Sequence, residues 1–161
     1  MGQIMNKKRS PREVFLALVH GLCEGRLDEV VSLYAEKTDV SHPFDPMRGQ
    51  GFASRAQLAE HFSKRPPSKT ITAQPSNIRI HETQDPEVIV AEFAYAGENL
   101  ETKMPFSYPC IFVMRVQDGQ IVESRDYVDH LSSAEARGML GAFLAQITQR
   151  RAEPEAAPPA G

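Results

Sequence analysis

A carboxylate set among apolar neighbours is the chain's most informative chemical signal. It lies in the stretch Ile121-Val122-Glu123-Ser124-Arg125-Asp126-Tyr127-Val128-Asp129-His130. Strand alternation assigns Val122, Ser124, Asp126, Val128 and His130 to one face, and Ile121, Glu123, Arg125, Tyr127 and Asp129 to the other. The first set carries less charge and suits a face turned toward helices. Asp126 is then a carboxyl in apolar surroundings. Burial disfavours its charged form and raises its pKa toward the range useful for proton transfer. A plain structural pairing, with a backbone group or an arginine, is the competing reading of the same pattern. His61 is the second candidate. Leu58, His61 and Phe62 fall at i, i+3 and i+4, which places the imidazole on the apolar face of a helix. There it exchanges protons near neutral pH if it lines a cavity, or sits as a core histidine with one satisfied hydrogen bond.

Other side chains qualify as walls of a ligand pocket. His42 and Phe44 belong to Ser41-His42-Pro43-Phe44, at a predicted pocket rim, and the proline leaves the direction of His42 unreadable. Tyr34 lies on the apolar face of a predicted helix, suited to the core and carried as a ligand contact. Phe93 and Tyr95 share a strand face with Ile89 and Ala91, which fits a pocket wall or plain core equally. Phe112 and Ser124 complete the substrate-binding set. No Cys/His cluster has metal-ligand spacing, and no metal is expected. The chain has no G-x-S-x-G elbow, no Walker-type phosphate loop and no dinucleotide fingerprint. An enzyme of this sequence is therefore expected to work by acid/base chemistry without a bound cofactor.

Local signals place the elements that must position these groups. Ser10-Pro11-Arg12-Glu13 opens a helix with a capping box, followed by an apolar stripe of Val14, Phe15, Leu18, Val19 and Leu22 and closed by Gly25. A second helix is predicted from about Leu27, with Leu27, Val30, Val31 and Tyr34 on its inner face. A short strand is predicted over Asp39 to Phe44. Ser54 and Gln57 open a third helix that Pro66-Pro67 terminates. Four strands follow, over Thr70 to His81, Glu87 to Ala96, Phe106 to Gln117 and Gln120 to His130. Asp85-Pro86 and Asp118-Gly119 supply turns between antiparallel neighbours. Ser132 and Glu135 cap a last helix, with Met139, Leu140, Phe143, Leu144 and Ile147 expected inside. Helices, then antiparallel strands, then a closing helix predict an α+β fold and not a βαβ repeat. One domain is placed at residues 10–149, between a flexible N-terminus at 1–9 and a disordered Pro/Ala-rich tail at 150–161.

Composition narrows the partners. A formal net charge of -3 with pI near 6.0 offers no electrostatic case for nucleic acid or an acidic membrane surface. No apolar run approaches the roughly 20 residues of a membrane span, and no signal-peptide core is present, so a cytoplasmic location is expected. Cys23 and Cys110, each in an apolar stretch, read as two buried thiols.

The element order resembles the SnoaL-like branch of the nuclear-transport-factor-2-like superfamily. The stretch Asp118-Gly119-Gln120-Ile121 running into Arg125-Asp126-Tyr127-Val128-Asp129 carries the same likeness. The resemblance implies a cone-shaped, curved antiparallel sheet packed against N-terminal helices, with a pocket between them and a homodimer formed through the outer sheet face. Among its families, the phenazine biosynthesis A/B proteins are similar across Leu58-Ala59-Glu60-His61, Asn77-Ile78-Arg79-Ile80, Asp85-Pro86, Glu92, Gly97 and Asp118-Gly119. That similarity implies an acid/base step served by His61 and by Asp126, which stands where that family has a glutamate. Limonene epoxide hydrolases are similar at Arg125 to Asp129, but the arginine and aspartate they also need fall at Phe93 and Tyr95, so epoxide opening lacks its proton donor. The expected function is a cofactor-independent acid/base isomerase, cyclase or condensing enzyme for a small, largely apolar cyclic or carbonyl substrate, with a role in secondary metabolism. The alternatives are a ligand-binding module without turnover and an interaction protein whose sheet pairs with another copy.

Overall fold

Ser10 Oγ accepts a hydrogen bond from Glu13 N at 3.2 Å, and the Glu13 carboxylate accepts one from Ser10 N at 2.7 Å. This reciprocal pair starts helix α1, Pro11–Glu24, and Gly25 ends it in the left-handed conformation at φ 71. The structure, a computed structural model, describes residues 7–65 and 69–154. Helix α2 is short, Leu27–Ser32, and gives way to strand β1 at Tyr34–Ser41. Strand β2 is Phe52–Ser54, and helix α3 is Arg55–Ser63. Four long strands follow: β3 at Ile71–Glu82, β4 at Val88–Asn99, β5 at Pro105–Gln117 and β6 at Gln120–Val128. Helices α4, His130–Ala136, and α5, Leu140–Ala152, close the chain.

The six strands form one open sheet in the order β2-β1-β6-β5-β4-β3. All neighbours are antiparallel except β1 and β6, which run parallel. The α+β architecture expected from the element order is the one observed. Four register breaks add curvature, since an extra residue on one strand bends it and increases its twist. In β3 the extra residue is Asn77 at φ 51, between the pairs Ser76↔Ala94 and Arg79↔Glu92. Asp118 and Gly119, at φ 53 and 79, make the tight β5–β6 turn that their types predict. Helix α1 lies across β3, β4 and β5, α3 covers β1 and β2, and α4 rests on β5. Between α1 and the sheet sit the fully buried Val14, Phe15, Leu18, Val19, Met114 and Ile121.

Four expectations need correction. Tyr34 begins β1 instead of continuing α2. Its neighbour Leu33 accepts a hydrogen bond from Ile121 N at 2.8 Å, and pairing with β6 overrides the helical spacing. The short strand predicted from Asp39 therefore starts five residues earlier, and it stops at Ser41, before Pro43. Asp129, not Ser132, caps α4: its carboxylate accepts from Ser132 N at 2.9 Å. The predicted last helix is broken at Gly138, φ 70, and α5 buries none of its residues, with Met139 and Leu144 exposed. The boundary drawn at residue 150 falls inside α5, while 155–161, Pro66-Pro67 and residues 1–6 lie outside the described residues. Of the N-terminal stretch, Lys8 reaches Asp118 at 2.5 Å.

Candidate functional site

A break in the β5–β6 register sets the inward face of β6. Val116 pairs with Ile121 and Arg115 with Glu123, so Val122 is the extra residue. Ile121 thereby joins Ser124 and Asp126 on the inner face, and Val122 is left half-buried, the reverse of simple alternation. Beyond the break the expected pleat holds. Asp126 is 5% exposed, opposite Phe112 on β5.

Around Asp126 the chemistry is sparse. Ser124 Oγ donates to Oδ1 at 2.5 Å. The hydrogen bond found at this carboxyl goes to Oδ1, and Oδ2 faces His42 Nε2 at 3.8 Å. Arg125, one residue along, points outward to Asp39 at 3.0 Å and Glu123 at 3.3 Å, so it does not pair with Asp126. Burial pushes the Asp126 carboxyl from its ordinary 3.8 up to about 7, with the Ser124 hydrogen bond and the Arg125 charge opposing. Burial, and next the neighbouring His130, pull His42 below its ordinary value, so its imidazole is neutral at pH 7. The Tyr34 phenol is buried at the start of β1; burial first and the Asp126 charge second raise it, keeping it protonated. A carboxyl that titrates near neutrality, a neutral imidazole and a protonated phenol make a proton-transfer centre in a low-dielectric interior.

His42 owes its direction to β1. Val40 is buried and pairs with Ser124, and two residues on His42 turns to the same side, toward Asp126. Its ring meets that of His130 edge-on, centroids 6.0 Å apart. His130 opens α4, and its Nε2 is buried without a hydrogen-bond partner among the described residues. His61 is not brought to Asp126. It packs on Phe52 at 4.8 Å and Phe62 at 5.4 Å, and its Nε2 lies 3.2 Å from Arg65 Nη1. Burial and then the Arg65 charge lower its pKa, so the neutral ring accepts the Arg65 hydrogen bond.

The aromatic candidates divide. Phe93 and Phe112 pack with Phe15 at centroid separations of 5.0, 5.3 and 6.2 Å, a buried cluster on the floor of the cone. Tyr95 lines a cavity of about 480 Å³, with Leu22, Cys23, Phe62, Arg65, Tyr108 and Arg137 also on its walls. Phe44 is 70% exposed and lies edge-on to Tyr127 at 5.1 Å. It borders a separate groove of about 440 Å³ with Ile111, Tyr127, His130 and Leu131. Asp126 lines neither space. Among the described residues no three His, Cys, Asp or Glu side chains converge as metal ligands. No helix among them is long and apolar enough to cross a membrane. Arg65, Tyr108 and Arg137 were missed in the sequence, since only the closing of α3 and α4 over the sheet brings them to one cavity.

Residues 15–124 match the family described as the SnoaL-like domain. An uncharacterised Bacillus subtilis protein, YesE, is 26% identical over 145 residues, covering 88% of this chain and 95% of its own. A putative isomerase from Bacillus subtilis superposes with a TM-score of 0.68 at 24% identity, over 79% of this chain and 91% of that one. A phenazine biosynthesis-related protein from Pseudomonas aeruginosa superposes with a TM-score of 0.57 at 18% identity, over 80% and 84%. At these identities the two structures speak to the fold alone.

Proposed function

This chain belongs to the SnoaL-like family, and we propose that it is an acid/base enzyme that isomerises, cyclises or condenses a small, largely apolar carbonyl compound with no cofactor. The observation that carries the reading is Asp126. It is an inward carboxyl raised to about 7, with one oxygen held by Ser124 and the other facing a neutral His42. As a carboxylate it takes a proton from a carbon beside the substrate carbonyl, and the electron pair moves onto the carbonyl oxygen. The Tyr34 phenol, kept protonated, is the donor available to that oxygen. The protonated Asp126 returns its proton to a different carbon in an isomerisation. In a cyclisation the enolate carbon attacks a second carbonyl, and the resulting alkoxide takes the proton. His42 carries protons between Asp126 and solvent. The putative isomerase is consistent with this reaction class by name.

The test is exchange of α-hydrogens in D2O, followed by NMR over a panel of cyclic ketones. The wild-type protein is expected to accelerate exchange for at least one ketone, and Asp126→Asn to lose that acceleration by about 100-fold or more. Equal rates with and without protein across the panel, or an unchanged rate in the variant, refute the reading. A binding module without turnover is the second reading. It is favoured by one observation, that Asp126 lines neither cavity.

A further inference from the structure

The cavity lined by Tyr95 and Tyr108 has a charge pattern that catalysis at Asp126 does not use. Arg65, just beyond the end of α3, and Arg137, at the end of α4, both face it. Neither makes an ion pair among the described residues. Arg137 is held from behind: its Nη1 donates to Ser133 O at 3.1 Å and to Ser133 Oγ at 2.7 Å. The turn before it is anchored in turn, because the buried Asn99 side chain donates to Ala136 O at 3.0 Å. Arg65 is steadied by the neutral His61, 3.2 Å away. Ser133 Oγ also donates to the Tyr108 hydroxyl at 3.4 Å, which ties a phenol on the cavity wall to the support of Arg137.

The carboxylate on the cavity wall, Glu24, is already engaged by Arg26 at 2.7 Å. Two guanidinium groups therefore line a partly enclosed space with no carboxylate paired to either of them among the described residues. Arg65 is exposed on its solvent side, yet on its cavity side loss of hydration and then the Arg137 charge lower its pKa. Like charges held together in a site of reduced dielectric destabilise one another, and an anion between them removes that penalty. The rest of the wall is apolar, with Leu22, Leu27 and Ile71 beside the aromatic side chains. Tyr95 and Tyr108 lie 5.8 Å apart, and Phe62 stands near Arg65 on α3.

We infer that this cavity binds an aromatic or polycyclic carboxylic acid, its carboxylate between Arg65 and Arg137 and its rings against Tyr95, Tyr108 and Phe62. Planar guanidinium forks match a carboxylate with paired N–H donors, and the phenol rings supply flat apolar area. A volume of about 480 Å³ holds a molecule of two or three fused rings. The assignment does not require that Asp126 turn the ligand over, so it stands or falls apart from the enzymatic reading.

The experiment is calorimetric titration of the full chain with 2-naphthoate and with its neutral counterpart 2-naphthamide. The acid is expected to bind at least about 10-fold more tightly than the amide, and 0.5 M NaCl to weaken only the acid. Arg65→Gln and Arg137→Gln are each expected to weaken 2-naphthoate by about 10-fold while leaving 2-naphthamide unchanged. Arg125→Gln, on the outer face, serves as the charge control and is expected to bind like wild type, with circular dichroism verifying that every variant folds. The inference is overturned by equal affinities for acid and amide, or by no binding of the acid at millimolar concentration. It is also overturned if Arg65→Gln and Arg137→Gln both keep wild-type affinity for the acid, or if Arg125→Gln weakens it as much as they do.

Discussion

Replacing Asp126 by Asn tests the buried carboxyl through stability, with no substrate needed. The amide has nearly the shape of the acid, its oxygen can still accept from Ser124, and its Nδ2 can face His42. Because the folded protein raises the carboxyl from 3.8 to about 7, it holds the proton more tightly than the unfolded chain does between those values. Proton release on unfolding makes the wild type lose stability as pH rises through that window, and the loss is complete above about 7. The displacement is worth about 4 kcal/mol, a large fraction of the about 5–15 kcal/mol that stabilises a domain. The variant has no proton to release at this position. Urea unfolding of both proteins at about pH 4 and about pH 8 is the assay. The gap in free energy, variant minus wild type, should open by about 4 kcal/mol in the variant's favour between those two conditions. His42, His61 and His130, all lowered by burial, act in the opposite direction at acid pH but are present in both proteins. A gap that opens by less than about 1 kcal/mol means that the folded carboxyl titrates near its ordinary value. In that case the proton-transfer centre described above does not exist.

Two further outcomes follow from the packing. A Cβ at Gly97 would lie 1.8 Å from the Thr72 carbonyl oxygen, where backbone must shift, so Gly97→Ala should destabilise by about 3 kcal/mol in the same urea assay. A loss under about 0.5 kcal/mol would show that β3 and β4 do not approach as described. Burial pushes the Cys110 thiol up to about 12 and the Cys23 thiol up to about 11. Both should therefore resist alkylation in the native protein at pH 7.5 and react on adding urea, and rapid native labelling of Cys110 would contradict its burial.

Local signals carried the elements because their causes are local. The capping box at Ser10 and Glu13, the Asp118-Gly119 turn and the period-2 pattern of β4 and β5 need only neighbouring residues to be read. The inward aim of Asp126 was legible for the same reason, since beyond Val122 the pleat of β6 is regular. Tyr34 was misread because a helical spacing that continues past α2 loses to sheet pairing, and the pairing partner lies near Ile121, far along the chain. The apolar positions of α5 satisfied a helical period yet cover no core, since periodicity reports a face and not what meets it.

Which groups meet was decided by the tertiary structure. His61 sat on an apolar face as its spacing required, but α3 turns that face to Phe52 and Arg65, while β1, pairing in parallel with β6, delivers His42 to Asp126 instead. By itself the sequence determined the helices, the hairpins and an inward carboxyl, because those depend on φ/ψ preferences and side-chain periods within a few residues. The partner of that carboxyl and the two arginines across the cavity depend on how strands and helices far apart in the chain come together. A side chain's neighbours across 80 residues are set by packing, and no local period encodes them.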